Sequence, residues 1–387
     1  LWLLAVLTFF LAVEEPKPAR AWPRWGWVLA FGMILGMAMG TKLTGWLIPL
    51  PLLVWCALYR RPFGLLALVV GGLVGLMTVV ALTPPFWVDP FTGISRFFRS
   101  NLTRAQTIPI RTLFLGRVYR TPIDSLPWYN TLVWTVLVTP VGFLGLAIAG
   151  AWRALRRFSG DGFGVLVLLN AGFLLVLRAL PHAPGHDGVR QFLPAFGLLA
   201  VTAGLGAGWV ASRFWGRVFV GLSIVEAAVS VAVMMPVPLA YYTPLVGGLP
   251  GATALGMEPT FYWDGLTDNA LWALDKKTRS GENVLFSGYP ISWYNRHTGR
   301  LRAGLSPIDG PDFAWYVVQN RPGSMSDTDR ALVARLGADP RYVLSAKLGV
   351  PLVWAFPGDA PELASTHSAV RRLWNSTLLT RPGGDRP

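Results

Sequence analysis

Charge, and acidic charge above all, is what this sequence has least of. Only 14% of its 387 residues are charged, with 20 Asp and Glu against 34 Lys and Arg. Soluble domains carry roughly 25% charged residues, so the composition argues against a soluble protein. Zinc-finger spacings and the aromatic-and-basic motifs of RNA-binding domains are also lacking, which argues against a nucleic-acid partner.

Cysteine is nearly absent, since Cys56 stands alone inside an apolar run. A single cysteine forms no intrachain disulfide, so cysteine usage neither requires nor excludes an oxidising compartment. The first residues, LWLLAVLTFFLAV, have no basic n-region and therefore do not form a signal peptide. We expect Leu1 to lie within a truncated span, with the residues before it missing.

Hydrophobic residues dominate instead. They make up 53% of the sequence, and the mean hydropathy is +0.45. Apolar runs near the bilayer-crossing length of about 20 residues recur from Leu1 to Pro236, which predicts a polytopic α-helical membrane region of about eight spans. The spans are expected at 1–13 (partial), 25–41, 44–58, 63–83, 129–151, 162–179, 192–212 and 217–236.

The loops between these spans differ in basic charge. The short loops of one side contain only Lys42 and Arg190. The loops of the other side contain Lys17, Arg20, Arg24, Arg60, Arg61, Arg153, Arg156, Arg157, Arg213 and Arg217. Because Lys and Arg mark cytoplasmic loops, we predict a multi-pass protein of the plasma or inner membrane, with 84–128 and the residues from Val237 onward outside the cytoplasm.

The composition changes after Val237. We predict a transmembrane region at 1–240, a juxtamembrane connector at 241–264 and an extracytoplasmic soluble α/β domain at 265–387, because helical and strand-like runs alternate there. Strands are expected at Asn283–Phe286, Phe313–Gln319, Tyr342–Ala346 and Leu352–Phe356.

Capping residues predict two helices in this domain. Thr267 or Asp268 begins a helix that extends to Arg279. Ser326, with Asp329 three residues later, begins a second helix that ends near Leu336. In the long outward loop, Gly93–Arg104 (GISRFFRSNLTR) has apolar and basic residues at helical spacing, which predicts an amphipathic helix in the membrane interface.

Charged residues at a membrane edge are costly and are therefore candidates for function. Lys42 is predicted either to bind the phosphate of a lipid carrier or to snorkel from a helix end. The loop PHAPGHDGVRQFLP contains His182, His186, Asp187 and Arg190. Arg190 suits a phosphate, whereas His186 and Asp187 suit an acceptor hydroxyl; a structural polar loop is the alternative. These ligands are too few to predict a zinc site.

Three further features have two interpretations each. In PPFWVD, Asp89 faces a reaction chamber and Trp87 stacks on a sugar, or the prolines only end a helix. Glu226, within a span, relays protons or bonds a neighbouring helix. The glycines of GLGAG at 204–208 are interpreted as helix-packing residues rather than a nucleotide loop, because no strand precedes them.

Four stretches resemble a known enzyme family. They are GTKLTG (Gly40–Gly45), PPFWVDP (Pro84–Pro90), HDGVRQFLPAF (His186–Phe196) and the run from Tyr241 to Asp264. In them the sequence resembles the dolichyl-phosphate-mannose–protein mannosyltransferase superfamily, which has the GT-C fold, and its bacterial aminoarabinose-transferase-like relatives.

The resemblance implies an integral-membrane, inverting glycosyltransferase. Such an enzyme moves a sugar from a polyprenyl-phosphate-linked donor to a protein or lipid acceptor at the outer face. Basic residues of the family at the outer membrane edge hold the phosphate, and Lys42 and Arg190 match them by position and type. The family has its catalytic aspartate in the first outward loop, near the N-terminus, so the resemblance implies that this aspartate precedes Leu1, and we expect it to be absent here. Asp89 and Asp187 are the candidate carboxylates that remain, and divalent-cation dependence stays open.

Two other functional classes stay open. A transporter or flippase of a lipid-linked or anionic substrate should have inverted repeats, and the sequence has no internal repeat. A non-catalytic membrane assembly protein is the third hypothesis. The large outward domain favours the glycosyltransferase over the transporter.

The predicted orientation is testable by cysteine accessibility. Cysteines introduced at Ser100 and Gly323 should react with a membrane-impermeant maleimide from outside the cell, and one at Ser159 only after the membrane is opened. The measurement is labelling of single-cysteine variants in intact and permeabilised cells. Labelling of Ser159 and Gly323 from the same side would contradict the orientation.

Overall fold

The computed structural model describes residues 1–14, 24–59, 61–107, 110–121, 123–158, 160, 162–183, 188–279, 282–287, 298–300 and 312–379. The chain forms two compact units. The first consists of Leu1–Arg111 and Tyr119–Val229, and the second of Thr112–Val118 and Ser230–Pro387. The predicted boundaries at 240 and 264 stay predictions.

The first unit is helical. Four of its helical segments are long and apolar enough to cross a membrane: Phe63–Leu82, Gly162–Ala179, Leu193–Val210 and Phe214–Met234, the last of which ends in the second unit. The helices are α1 (Trp2–Val13), α2 (Trp25–Thr41), α3 (Pro49–Leu58), α4 (Pro62–Leu82), α5 (Pro90–Thr107), α6 (Asn130–Val138), α7 (Val141–Arg156), α8 (Gly162–Ala179), α9 (Leu193–Val210) and α10 (Phe214–Met234).

Two of the expected spans have a different form. The segment expected at 44–58 begins as a 3₁₀ turn, Leu43–Leu47, and continues as the short helix α3. The span expected at 129–151 consists of two helices, because α6 ends at Val138 and α7 begins after Pro140. Proline has no N–H to continue the helical ladder, and its ring disfavours a helical residue before it, so Thr139 is extended. Membrane insertion of eight spans stays a prediction.

Small residues let two of these helices touch along their backbones. A Cβ atom on Gly150 of α7 would collide with the carbonyl of Thr202 in α9, and one on Gly206 would collide with the carbonyl of Leu146. Both glycines lie inside helices. The interpretation of Gly206 as a helix-packing residue is therefore confirmed.

Glu226 joins α10 to α7. Its carboxylate accepts hydrogen bonds from the backbone N–H groups of Val141 and Gly142, each at 2.7 Å. These are the first two residues of α7, whose N–H groups have no partner within the helix. Glu226 therefore acts as a helix cap supplied by a neighbouring helix, the second of the two interpretations that the sequence left open.

The second unit contains a four-stranded sheet of order β3-β4-β6-β5. Strands β3 and β4 are parallel, with Leu285 opposite Tyr316, whereas β6 is antiparallel to both β4 and β5. The strands are β3 (Val284–Phe286), β4 (Trp315–Gln319), β5 (Val343–Lys347) and β6 (Val350–Pro357), and the long loop adds a hairpin of β1 (Ile110–Phe114) and β2 (Arg117–Thr121). All four predicted strands of the C-terminal domain are confirmed within a few residues.

Helices accompany this sheet: α11 (Gly248–Ala254), α12 (Asp268–Lys277), α13 (Asp327–Leu336) and α14 (Ala364–Leu379). Thr267 caps α12, as predicted, by accepting a hydrogen bond from Ala270 N. Helix α14 was not predicted from the sequence. The hydrophobic core of the domain includes Phe313, Val318, Leu332, Trp354 and Phe356.

Asp329 connects α13 to the sheet. Ser326 and Asp329 form the predicted capping box, in which each side chain accepts from the other residue's backbone N–H. The carboxylate also accepts hydrogen bonds from Tyr316 Oη and Ser287 Oγ, each at 2.9 Å. Asp329 is buried, so these contacts compensate for the removal of its charge from water.

We expect Asp329→Ala to loosen the C-terminal sheet. The change removes a helix cap and leaves the buried Tyr316 hydroxyl without its acceptor, which should lower the local free energy of unfolding by about 2–3 kcal/mol. Native-state hydrogen exchange of the β4 amides measures this quantity. The matched control is Asp327→Ala, at an exposed position of the same helix, which should change β4 exchange little. Equal exchange in both variants would show that the Asp329 network is dispensable.

Candidate functional site

The helices α2 and α4 run parallel and in close contact. Gly32 of α2 lies against Val74 of α4, and Gly40 lies against Thr83, which follows α4. Residue numbers therefore increase in the same direction along both helices. Consequently GTKLTG and PPFWVDP, which follow these helices in the chain, lie at the same end of the first unit.

The turn after α2 has a defined shape. Gly45 lies so close to the Ala38 carbonyl that a Cβ atom would collide with it. The indole N–H of Trp46 donates to Met39 O at 3.1 Å. These two contacts fold the 3₁₀ turn Leu43–Leu47 back on α2 and hold Lys42 at the junction.

Lys42 contacts the stretch HDGVRQFLPAF (His186–Phe196). Its ammonium donates to the backbone oxygen of Gln191 at 3.4 Å, next to Arg190. Burial lowers the pKa of Lys42, and the positive charges of Arg190 and Arg178 lower it further. The structure therefore places three basic side chains within electrostatic reach of one another; we call Lys42, Arg178 and Arg190 the cationic cluster.

Arg178 was not among the residues predicted from the sequence. It lies in the last turn of α8, within the apolar run FLLVLRAL. A lone charge in an apolar span is a functional candidate by default, and this signal was present in the sequence. Only the fold reveals that α8 ends beside the turn that carries Lys42.

The cationic cluster is suited to an anion. Lys42 and Arg178 are half-buried and Arg190 is exposed. Among the residues that the structure describes, neither Lys42 nor Arg178 forms an ion pair with a carboxylate. Like charges at a partly buried site repel one another, so a bound anion would relieve the repulsion and raise the pKa of Lys42. Arg190 and Lys42 together provide several N–H donors for phosphate oxygens.

Asp89 has a structural role. Its carboxylate Oδ1 accepts from Thr92 N at 3.1 Å, which is the N-cap contact of α5. The hydrogen bonds from the Thr92 side chain and backbone hold the pKa of Asp89 below its usual range. A carboxylate whose charged form is favoured in this way is a weaker proton acceptor, which disfavours Asp89 as the catalytic base.

Trp87 marks the same end of the unit. Its indole N–H donates to Val80 O at 2.9 Å and to Ala81 O at 3.2 Å, which satisfies carbonyls at the C-terminus of α4. The side chain is nonetheless 62% exposed, so the ring remains open for stacking. The predicted role of Trp87 in sugar binding stays a prediction.

The remaining predicted site residues, His186 and Asp187, lie outside the described residues. Of the same loop, His182 is described, and its backbone N–H donates to Ser125 Oγ at 2.9 Å. No group of three or more His, Cys, Asp or Glu that could hold a metal ion occurs in the described ranges.

Comparison with known proteins does not assign a family. No family model, curated protein or solved structure matches this chain. The resemblance to the GT-C superfamily therefore stays a prediction, and the cationic cluster is the feature from which a function can be argued.

The lowered pKa of Lys42 is testable. The pH profile of Lys42 acylation should have its midpoint below the ordinary value of 10.5, because burial and the two arginines disfavour the ammonium. Arg190→Gln should move the midpoint upward, since it removes one repelling charge. Competitive labelling with an amine-reactive reagent, read by peptide mass spectrometry, measures both. Arg213→Gln, in a loop between α9 and α10, is the control and should leave the profile unchanged. A midpoint at or above 10.5 would refute the electrostatic description.

Proposed function

We propose that the protein is an integral-membrane glycosyltransferase that uses a polyprenyl-phosphate-linked sugar. The sugar passes to a protein or lipid acceptor at the outer face of the membrane. The observation that carries the proposal is the cationic cluster of Lys42, Arg178 and Arg190 at one end of an apolar helical unit. An anionic headgroup attached to a long apolar chain fits such an arrangement, because the headgroup would contact the cationic cluster and the chain would contact the apolar helices.

The cluster would act on the leaving group. In the transfer, the bond between the anomeric carbon and the phosphate oxygen breaks, and a bond to the acceptor oxygen forms. The phosphate gains negative charge as the bond breaks, and preorganised cations stabilise that charge in the transition state. The acceptor proton passes to a base that we do not assign, since Asp89 is engaged as a helix cap.

The GTKLTG and PPFWVDP stretches support the same proposal. They are two of the four stretches on which the resemblance to lipid-linked-sugar transferases depends, and the contact between α2 and α4 brings them to one end of the unit. The exposed ring of Trp87 at that end offers an apolar face for a sugar.

The decisive experiment measures phosphate recognition. The protein in nanodiscs should bind polyprenyl phosphate more tightly than the uncharged polyprenol. Lys42→Ala and Arg190→Ala should each weaken binding of the phosphate about ten- to a hundredfold, because each removes a charge-assisted contact. Arg190→Lys should restore little, since an ammonium lacks the planar fork that holds two oxygens.

The control variant is Arg153→Ala, at the end of α7, which should bind like the parent. If Lys42 and Arg190 only anchor helix ends, both alanine variants will stay within threefold of the parent, and the phosphate role is then wrong. A transfer assay with a polyprenyl-phosphate sugar separates the enzyme from a flippase. Binding without transfer, together with movement of the lipid across the bilayer, would favour the flippase.

A further inference from the structure

Helix α5 is a basic amphipathic helix on the first unit. Its residues, Pro90–Thr107, include Arg96, Arg99 and Arg104 but no Asp or Glu. Successive residues of an α-helix are about 100° apart, so three faces can be distinguished around its axis. Each face has a different chemistry.

The first face packs against the unit. Gly93 lies against Phe86. The Phe97 ring is 6.4 Å from both the Phe86 and Trp46 rings, and the Phe98 ring is 4.9 Å from Trp46. These aromatic contacts attach α5 to the same end of the unit as the cationic cluster, because Trp46 belongs to the turn that follows Lys42.

The second face is apolar and is exposed at its two ends, Phe91 and Leu102, whereas Ile94 and Phe98 between them are half-buried. Phe91, Ile94, Phe98 and Leu102 follow one another at spacings of three and four residues and so form one stripe. Phe91 is 86% exposed and Leu102 is 66% exposed. The stripe continues into Val88, which is 97% exposed just before the helix. Exposed aromatic and aliphatic side chains in a row indicate a surface that another apolar phase covers.

The third face is basic and borders the stripe. Arg96 and Arg99 are both exposed and lie about one turn apart. Neither forms an ion pair with a residue that the structure describes. An apolar stripe beside a row of arginines matches a bilayer surface that has acyl chains below and anionic headgroups above. A second copy of α5 does not match, because its arginines would face these arginines.

We propose that α5 binds the anionic headgroup layer of the membrane, with Phe91 and Leu102 inserted and with Arg96 and Arg99 on the phosphates. The inference rests on the membrane location in the proposed function, but not on sugar transfer. Docked in this way, α5 holds the turn of Lys42 at the depth of lipid phosphates.

The test is collision quenching of spin labels on the whole chain in vesicles. Cysteines replace Phe91, Leu102 or Ser100 in a Cys56→Ala background. Ser100 is the matched control, since it is exposed on the opposite side of α5. In vesicles with phosphatidylglycerol, labels at Phe91 and Leu102 should collide more with dissolved oxygen than with a water-soluble nickel chelate, and the label at Ser100 should do the reverse.

The arginines are tested separately. Arg96→Gln with Arg99→Gln should weaken docking of α5 in phosphatidylglycerol vesicles about fivefold per arginine, and should change little in pure phosphatidylcholine. Equal quenching at Leu102 and Ser100 would overturn the proposal, and an equal effect of the arginine variant in both lipids would overturn its anionic part.

Two further outcomes have distinct meanings. A spin label at Val69 of α4 reports whether the apolar helices lie in the membrane. If that label collides more with the nickel chelate than with oxygen, the membrane location and this proposal both fail. Spin–spin broadening at Leu102, removed by dilution with unlabelled protein, together with protection from both quenchers, would mean that a second copy covers the stripe, which also overturns the proposal.

Discussion

The close parallel contact between α2 and α4 is the constraint on which the rest of the first unit depends. Gly32 and Gly36 of α2 lie so close to α4 that Cβ atoms there would collide with Val74 and Thr78. Packing of this kind works without a hydrophobic driving force, because close backbones gain van der Waals contact. The contact determines that the segments after both helices emerge together, and hence that Lys42 lies at the same end as Trp87.

Three of the acidic residues that the structure describes stabilise helix N-termini. Glu226 caps α7 from a neighbouring helix, Asp89 caps α5 and Asp329 caps α13. A helix N-terminus offers unpaired N–H groups and the positive end of a dipole, so a carboxylate is stabilised there. At the end of α8, by contrast, Lys42 and Arg178 form no ion pair with a carboxylate of the described residues, and Arg190 adds a third positive charge. The excess of basic over acidic residues therefore produces a positive electrostatic field around the cationic cluster.

The sequence predicted helix caps and strands better than it predicted where a helix breaks and which segments pair with each other. The N-cap of Thr267, the capping box of Ser326 and the four strands of the C-terminal sheet are confirmed, since each depends on residues within a few positions of one another. The break within the expected span 129–151 was not predicted, because hydropathy does not register the effect of a single residue such as Pro140 on the helix. The hairpin β1–β2 was missed, although Leu115 and Gly116 adopt the consecutive positive φ angles of 48° and 77° that a tight hairpin turn uses.

The sequence by itself determined that the chain has apolar helices of membrane-crossing length and a small C-terminal sheet domain, and it supplied the candidate residues Lys42 and Arg190. Composition and hydropathy are sums over the chain and so do not depend on how it folds. A charged residue in an apolar run is likewise recognisable from the sequence alone. Only the tertiary structure decided that these two residues and Arg178 lie within electrostatic reach of one another, and that Asp89 and Glu226 are helix caps. The distance between residues 42 and 190 depends on which helices touch, and that depends on side-chain volumes at crossings such as Gly150 with Thr202, which no local pattern encodes.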